Sequence, residues 1–256
     1  MRKTALITGA TTGIGYELAK FFAMNDNDLI LVARDRGKLS QIASEWRLEY
    51  QVCVDIIAVD LRDSQAPQVI MEKCADKEID ILVNNAGMGV YGNFTTNKLE
   101  DELSLIQVNI SALTHLTKEI SKQMIKRRQG KILNVAAASA FIPRSVMAVY
   151  DASKAYVVAF SEALAHELSK DHITVSVLCP GPTQTEFDRK ANIGNHSQTK
   201  MTAEEVAKIA YRGLVENKRI IIPGTQNRLR TGTVSILPRK VIANISRKMQ
   251  ISSKRK

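Results

Sequence analysis

The chain has 256 residues, 45% of them hydrophobic, with three cysteines, four histidines and a formal net charge of +10. That length buries a sizeable interior within one three-layer α/β domain, and nowhere do about 18 apolar residues run together as a membrane-spanning helix requires. Cys53, Cys74 and Cys179 are odd in number and form no CxxC pair, and His115, His166, His172 and His196 have no ligand-like spacing, so they read as reduced core thiols and ordinary histidines, with no metal site.

In chain order the first element is the apolar run Thr4–Thr8, a buried strand that leaves no room ahead of it for a secretory signal. A soluble, cytoplasmic protein is expected. Next comes Thr8-Gly9-Ala10-Thr11-Thr12-Gly13-Ile14-Gly15, running into an apolar-periodic stretch from Tyr16. Glycines at a strand-to-helix turn permit positive φ and close backbone approach, and the helix N-terminus offers free N–H groups to a pyrophosphate. A dinucleotide can dock there; a purely structural turn is the competing reading. Further strands follow at Leu29–Val32, Ile56–Val59, Ile81–Val83, Ile132–Val135, Thr174–Leu178 and Ile220–Ile222. Between them lie helical patterns near Gly15–Met24, Lys38–Glu49, Ser64–Cys74, Leu99–Arg127, Tyr150–Ser169 and Ala203–Glu216, the last opened by a Thr202/Glu205 capping box.

Short buried strands alternating with helices imply a doubly wound (Rossmann) α/β fold, a seven-stranded parallel sheet covered on both faces in a single domain. No repeat or linker divides it, so the catalytic domain is placed at 1–227. Within it the polar, aperiodic segment 182–201 reads as a substrate loop, or as an ordinary surface excursion. From Asn217 to Lys256 there is no acidic residue and eleven Lys and Arg, so the body is near neutral and the tail, 228–256, is basic. Val241, Ile242, Ile245 and Met249 recur there at helical spacing among basic residues, an amphipathic pattern.

The TGxxxGxG spacing of the first turn resembles the short-chain dehydrogenase/reductase family. Other motifs appear in that family's order: Asp60-Leu61 after the third strand, Asn84-Asn85-Ala86-Gly87 after the fourth, Asn109, Tyr150-Asp151-Ala152-Ser153-Lys154 as YxxxK, and Pro180-Gly181-Pro182-Thr183-Gln184-Thr185 after the sixth. The resemblance covers about residues 4 to 224. It implies cofactor contacts from Gly9, Thr11, Thr12, Gly13, Ile14 and Gly15, from Arg34, Asp60 and Leu61, from Asn85, Ala86 and Gly87, from Tyr150 and Lys154, and from Pro180, Gly181, Thr183 and Thr185. At the end of the second strand Ala33 stands where NAD-preferring relatives carry Asp and Arg34 where NADP-preferring ones carry Arg. An Arg attracts a 2′-phosphate that an acid would repel, so NADP is expected over NAD, with Asp35 as the opposing feature.

Tyr150 and Lys154 are four apart at the head of a helix and share a face. A neighbouring ammonium stabilises tyrosinate and brings the phenol toward the range of a general acid/base. By resemblance the Tyr exchanges the substrate hydroxyl proton, the Lys also holds the nicotinamide ribose, and Asn109 anchors a relay water. The family's Ser, thirteen positions before the Tyr, is here Ala137. Ser139 is the candidate substitute as a substrate-binding residue, but an extended segment would carry it about 6.5 Å farther along, at about 3.3 Å per residue.

These motifs imply an oxidoreductase passing a hydride between NADP(H) and a carbonyl or secondary alcohol. The alternative is a catalytically weak dinucleotide-binding scaffold or sensor. Met88, Val90, Phe141, Met147 and Val149 suggest bulky apolar substrates, or serve simply as core. The family's habit implies a homodimer or homotetramer, and the tail packs on another subunit or contacts an anionic membrane surface; without an aromatic stacking platform a nucleic-acid partner is not expected.

Overall fold

The computed structural model describes residues 2–142, 144, 146–187, 191 and 200–236, the side chains of 230 and 232–236 excepted. Its strands are β1 (Thr4–Thr8), β2 (Asp28–Ala33), β3 (Val54–Ala58), β4 (Ile81–Asn84), β5 (Gly130–Val135), β6 (Ile173–Leu178), β7 (Thr183–Gln184), β8 (Met201–Thr202) and β9 (Ile220–Ile221). The helices are α1 (Gly13–Met24), α2 (Arg36–Glu49), α3 (Ala66–Lys73), α4 (Leu99–Ile106), α5 (Leu113–Arg127), α6 (Ala148–Glu167), α7 (Ala203–Val215) and α8 (Thr225–Ile236). The expected seven strands form one parallel sheet in the order β3-β2-β1-β4-β5-β6-β9, and β7 pairs separately with β8.

Successive strand side chains face opposite sides of the sheet, so each strand feeds two cores. Ala5, Ile7, Leu29, Leu31 and Val83 meet Leu18 and Phe22 of α1, Trp46 of α2 and Leu214 of α7. On the other face Leu6, Ile30, Leu82 and Ile132 meet Ile70 of α3 and Leu116, Ile120 and Met124 of α5. Each such fully buried aliphatic side chain contributes about 1.5–3 kcal/mol. This two-sided burial explains why the strands read in sequence as unbroken apolar runs. The chain leaves β1 for β2 on one side and begins β4 on the other, so the loops after β1 and β4 part and open a crevice at the carboxyl ends of the strands.

Three local expectations change. The helix expected over Leu99–Arg127 contains a π turn, Gln107–Ala112, between α4 and α5. Such wider turns cluster at functional sites, and this one carries the buried Asn109. Cys74 and Cys179 are buried as free thiols, but Cys53 is exposed, because it precedes the edge strand β3. Finally, α8 runs through residues 227 and 228, so the basic tail begins inside a helix. The amphipathic stretch around Val241–Met249 and loop residues 188–190 and 192–199 lie outside the described residues. Among the described residues no helix is long and apolar enough to cross a membrane.

Candidate active site

The crevice holds a cleft of about 850 Å³ that runs from Arg34 to Tyr150. Its near wall is the turn after β1. Gly9 and Gly13 have φ of +68° and +58°, the left-handed region that only glycine enters freely. A Cβ on Gly9 would stand 2.8 Å from Asn85 Nδ2, and one on Gly15 would collide with the same amide and with the Gly9 carbonyl. Asn85 fills that space because its Nδ2 donates to the carbonyls of Thr8 and Gly9 at 2.9 and 3.2 Å. Thr8 Oγ1 in turn accepts from the N–H groups of Asn85 and Ala86, each at 3.0 Å. The loops after β1 and β4 are thus stitched together behind α1, whose N-terminus has no side-chain cap and no acid in its first turn. Its free N–H groups and positive dipole end can take an anion.

At one end of the cleft three cations gather: Arg34, Lys38 and Arg62. Asp35, the acid that opposed NADP in the sequence, is occupied as the N-cap of α2, where its Oδ1 accepts from Lys38 N at 2.9 Å. Asp60 is engaged too: Arg62 grips its Oδ2 through Nε and a terminal nitrogen at 2.8 and 2.6 Å, and Arg34 stands 4.0 Å away. Burial pushes the Asp60 carboxyl up, but the hydrogen bonds and charge of Arg62, helped by Arg34, outweigh it and hold it below the usual carboxylate range.

The other end carries Tyr150 and Lys154 on α6, both buried. Lys154 Nζ lies 5.8 Å from the Tyr150 ring centroid and donates to the Val135 carbonyl at 2.9 Å. Burial depresses its pKa to about 8. Gly87 leaves room beside them, since a Cβ there would come within 3.3 Å of Lys154 Nζ. Asn109 holds the adjoining wall: its Oδ1 accepts from Met88 N at 2.8 Å, and its Nδ2 donates to the Met88 carbonyl and to Ser153 Oγ, both at 3.0 Å. Ser153 Oγ donates to the Tyr150 carbonyl at 2.7 Å. A buried phenol beside a buried ammonium can exchange a proton with a substrate oxygen, at the end of a cleft whose other end suits phosphate.

The family model for short chain dehydrogenase matches residues 3–196. The chain belongs to that family. Its members are oxidoreductases that use a nicotinamide dinucleotide. This short-chain dehydrogenase is 32% identical to one from Sphingobium yanoikuyae solved in complex with NADPH; the match covers 92% of this chain and 96% of that one, with a TM-score of 0.84. It is 30% identical to the bulky-bulky ketone specific alcohol dehydrogenase from Comamonas testosteroni, covering 92% and 95% with a TM-score of 0.79. Hydroxysteroid dehydrogenase-like protein 1 of Gallus gallus is 35% identical over 219 residues, which are 84% of this chain and 66% of that relative. The chain thus spans just under two thirds of the relative's length.

Every site residue anticipated in this dehydrogenase except Gly15 and Asn109 lines the same cleft, including Thr11, Thr12, Ile14, Leu61, Ala86, Pro180, Gly181, Thr183, Thr185 and Ser139, and Ala137 lines it too. Of the apolar set, Met88, Val90, Met147 and Val149 cluster with Ala137 and Tyr150, whereas Phe141 packs in a separate core with Ala136 and Val157. The short turn Ala138–Phe141 swings Phe141 off the cleft wall. Four features were missed. Lys38 and Arg62 stand in none of the motifs, although the Asp60/Arg62 spacing of two was a local signal. Phe187, whose ring centroid is 5.4 Å from that of Tyr150, comes from the loop after β7 and leaves no space for a side chain on Gly89. Arg144 clamps the buried Asp151, donating from N, Nε and a terminal nitrogen at 2.8, 3.1 and 2.8 Å. An acid inside YxxxK was its only trace in the sequence.

Proposed function

We propose that this protein is an NADP(H)-dependent oxidoreductase interconverting a bulky apolar ketone and its secondary alcohol. The observation that carries the reading is one cleft with Arg34, Lys38 and Arg62 at one end and the buried Tyr150–Lys154 pair at the other. The residues fit a dinucleotide: the Gly9–Gly15 turn and α1 N-terminus take the pyrophosphate, Asp60 and Leu61 flank the adenine, and Asn85, Ala86, Gly87, Pro180, Gly181, Thr183 and Thr185 line the way to Lys154. Arg34 takes the 2′-phosphate, with Asp35 engaged as a helix cap; the NADPH held by the Sphingobium relative agrees with that choice. When bound, the dinucleotide supplies or accepts the hydride.

The chain's own residues handle the proton. In the reducing direction Tyr150 gives its phenolic proton to the substrate oxygen as the carbonyl carbon gains hydride; in the oxidising direction the tyrosinate takes the hydroxyl proton back. Lys154 favours the tyrosinate by its charge and steadies the nicotinamide ribose. Asn109, whose amide is spent on Met88 and Ser153, fixes the adjoining wall and anchors a relay water. Met88, Met147 and Phe187 exclude water and suit a bulky apolar substrate, in keeping with the ketone named for the Comamonas relative. Self-assembly into a dimer or tetramer, a cytoplasmic setting and attraction of the tail to anionic membrane belong to the same proposal; exposed Leu99, Leu103 and Ile106 along α4 support the first.

A second reading, a dinucleotide-binding scaffold with little turnover, is favoured by Ala137. The two part on Tyr150→Phe: NADPH oxidation over a panel of ketones and aldehydes should fall to background while NADPH binding persists. An unchanged rate would sink the mechanism, and NADPH binding without turnover in the native chain would favour the scaffold.

A further inference from the structure

If the site reduces ketones, one place in it is unfilled. Ala137 occupies the cleft wall where a hydroxyl would meet the reacting oxygen, and it packs with Met147 and Tyr150 as a small apolar residue. We propose that Ser139 supplies the hydrogen bond to the reacting oxygen that Ala137 cannot give. The inference rests on the dehydrogenase reading above.

The distance that spoke against Ser139 assumed an extended chain, and the chain does not extend. Ala137 is extended (φ −161°, ψ 156°), but Ala138–Phe141 then forms a 3₁₀ turn in which Ala140 N donates to the Ala137 carbonyl at 3.0 Å and Ile142 N to the Ser139 carbonyl at 3.1 Å. Rise per residue falls to about 2.0 Å in such a turn, so Ser139 stays on the cleft wall that Ala137 begins, and both line the cavity with Tyr150 and Lys154. The wall is held from behind, Ala136 N donating to the Leu178 carbonyl and Ala138 N to the Pro180 carbonyl, both at 2.8 Å.

The second observation is the state of the hydroxyl. Ser139 Oγ is buried and has no hydrogen-bond partner among the described residues. Buried polar atoms nearly always have one, and an exception calls for a reason. Other buried side-chain atoms share this condition, on Asn84, Glu102, Arg127 and Ser176, but none of those residues lines the cleft. On the facing loop Thr183 Oγ1 donates to the Gly181 carbonyl at 2.9 Å and Thr185 Oγ1 accepts from Phe187 N at 3.2 Å, so those hydroxyls are engaged. A serine hydroxyl turns about one bond and serves as donor or acceptor. In the structure this Oγ is closed off from solvent, so it first turns about Cα–Cβ toward the cleft; there it donates to the ketone oxygen and keeps its proton throughout, the transferred proton remains that of Tyr150, and the hydride goes to carbon.

The test uses whichever of acetophenone, benzophenone, decanal and a steroid ketone the native protein reduces fastest with NADPH. Ser139→Ala should lower kcat by about 10²–10³ with KM changed far less, as loss of one such donor does. NADPH binding, followed by its fluorescence, should hold, and the carbonyl stretch of the ketone bound with NADP⁺ should rise in frequency. Ala137→Ser in the Ser139→Ala background should restore most of the rate, whereas Ala137→Ser alone should add no more than about threefold. A Ser139→Ala rate within about threefold of native, or a hundredfold gain from Ala137→Ser alone, overturns the assignment and leaves the dehydrogenase reading standing. If the native protein binds NADPH but reduces nothing, the reading itself falls and the inference with it.

Discussion

Lys154 offers a measurement that needs no substrate. Lys154 is 4% exposed, and among the described residues its ammonium donates to the Val135 carbonyl. Burial takes its pKa from 10.5 to about 8. A folded-state pKa below the unfolded value means the unfolded chain binds more protons between the two, so stability rises with pH there. The cost of keeping the ammonium buried is complete below about pH 8 and disappears above about pH 10.5. At about 1.36 kcal/mol per unit it amounts to roughly 3 kcal/mol, an upper figure. Other groups titrate over the same interval, so the comparison is with Lys154→Met, which keeps the aliphatic stem and carries no charge. Urea unfolding of both proteins should find native stability rising relative to the variant by about 1 kcal/mol between pH 7 and pH 9. Saturating NADPH should shrink the rise, since ribose hydroxyls would give the ammonium new acceptors. A native-to-variant difference that is flat from pH 7 to pH 9 without NADPH would refute the buried charged lysine and the reasoning built on it.

Two other perturbations probe the cleft's ends. Arg34→Ala should weaken NADPH roughly tenfold, for loss of a charge-assisted bond worth about 1.5–3 kcal/mol at a side chain that is 59% exposed, and leave NADH nearly unchanged by calorimetric titration; equal losses for both would refute the 2′-phosphate assignment. Asp151→Asn removes the buried charge and turns one of the two oxygens that accept the three Arg144 bonds into a donor, and should cost about 2 kcal/mol in urea unfolding, a moderate figure because Arg144 reaches solvent; unaltered stability would mean that the clamp does not hold the segment before α6.

How much of this could be read beforehand depends on the range of the forces involved. The strands were legible because a parallel sheet buried on both faces leaves runs such as Leu29–Val32 with no polar position. The glycine turn was legible because its demand for positive φ is local and steric. The π turn at Gln107–Ala112 was not, since each residue of QVNISA also suits an α-helix; what shapes it is Asn109 reaching Met88, 21 residues away. Nor was the fate of Ser139: residues 136–140 are four alanines and a serine, and their path depends on Leu178 and Pro180 carbonyls supplied by a distant strand. Lys38, Arg62 and Arg144 carried little signal in the sequence because their partnership with the cleft exists only once the loops converge.

The proposed catalytic geometry comes down to the register of α6 against β5, because Tyr150 and Lys154 ride on the helix while Val135, Ala137 and Ser139 follow from the strand. Apolar packing alone tolerates small slippage along a helix, whereas a buried hydrogen-bond chain does not. Such a chain lies beneath the cleft: Asn84 Nδ2 donates to Thr117 Oγ1 and Asn134 Oδ1, both at 2.9 Å, Asn134 Nδ2 to Ser161 Oγ at 2.9 Å, and Ser161 Oγ to the Val157 carbonyl at 2.6 Å. It joins β4, β5, α5 and α6 one residue before Val135 and two turns after Lys154. The Lys154 bond to the Val135 carbonyl and the Arg144–Asp151 clamp secure the other end of α6. Held at both ends, the helix can keep a charged lysine buried against its desolvation cost, which is the condition for the acid and base role proposed for Tyr150.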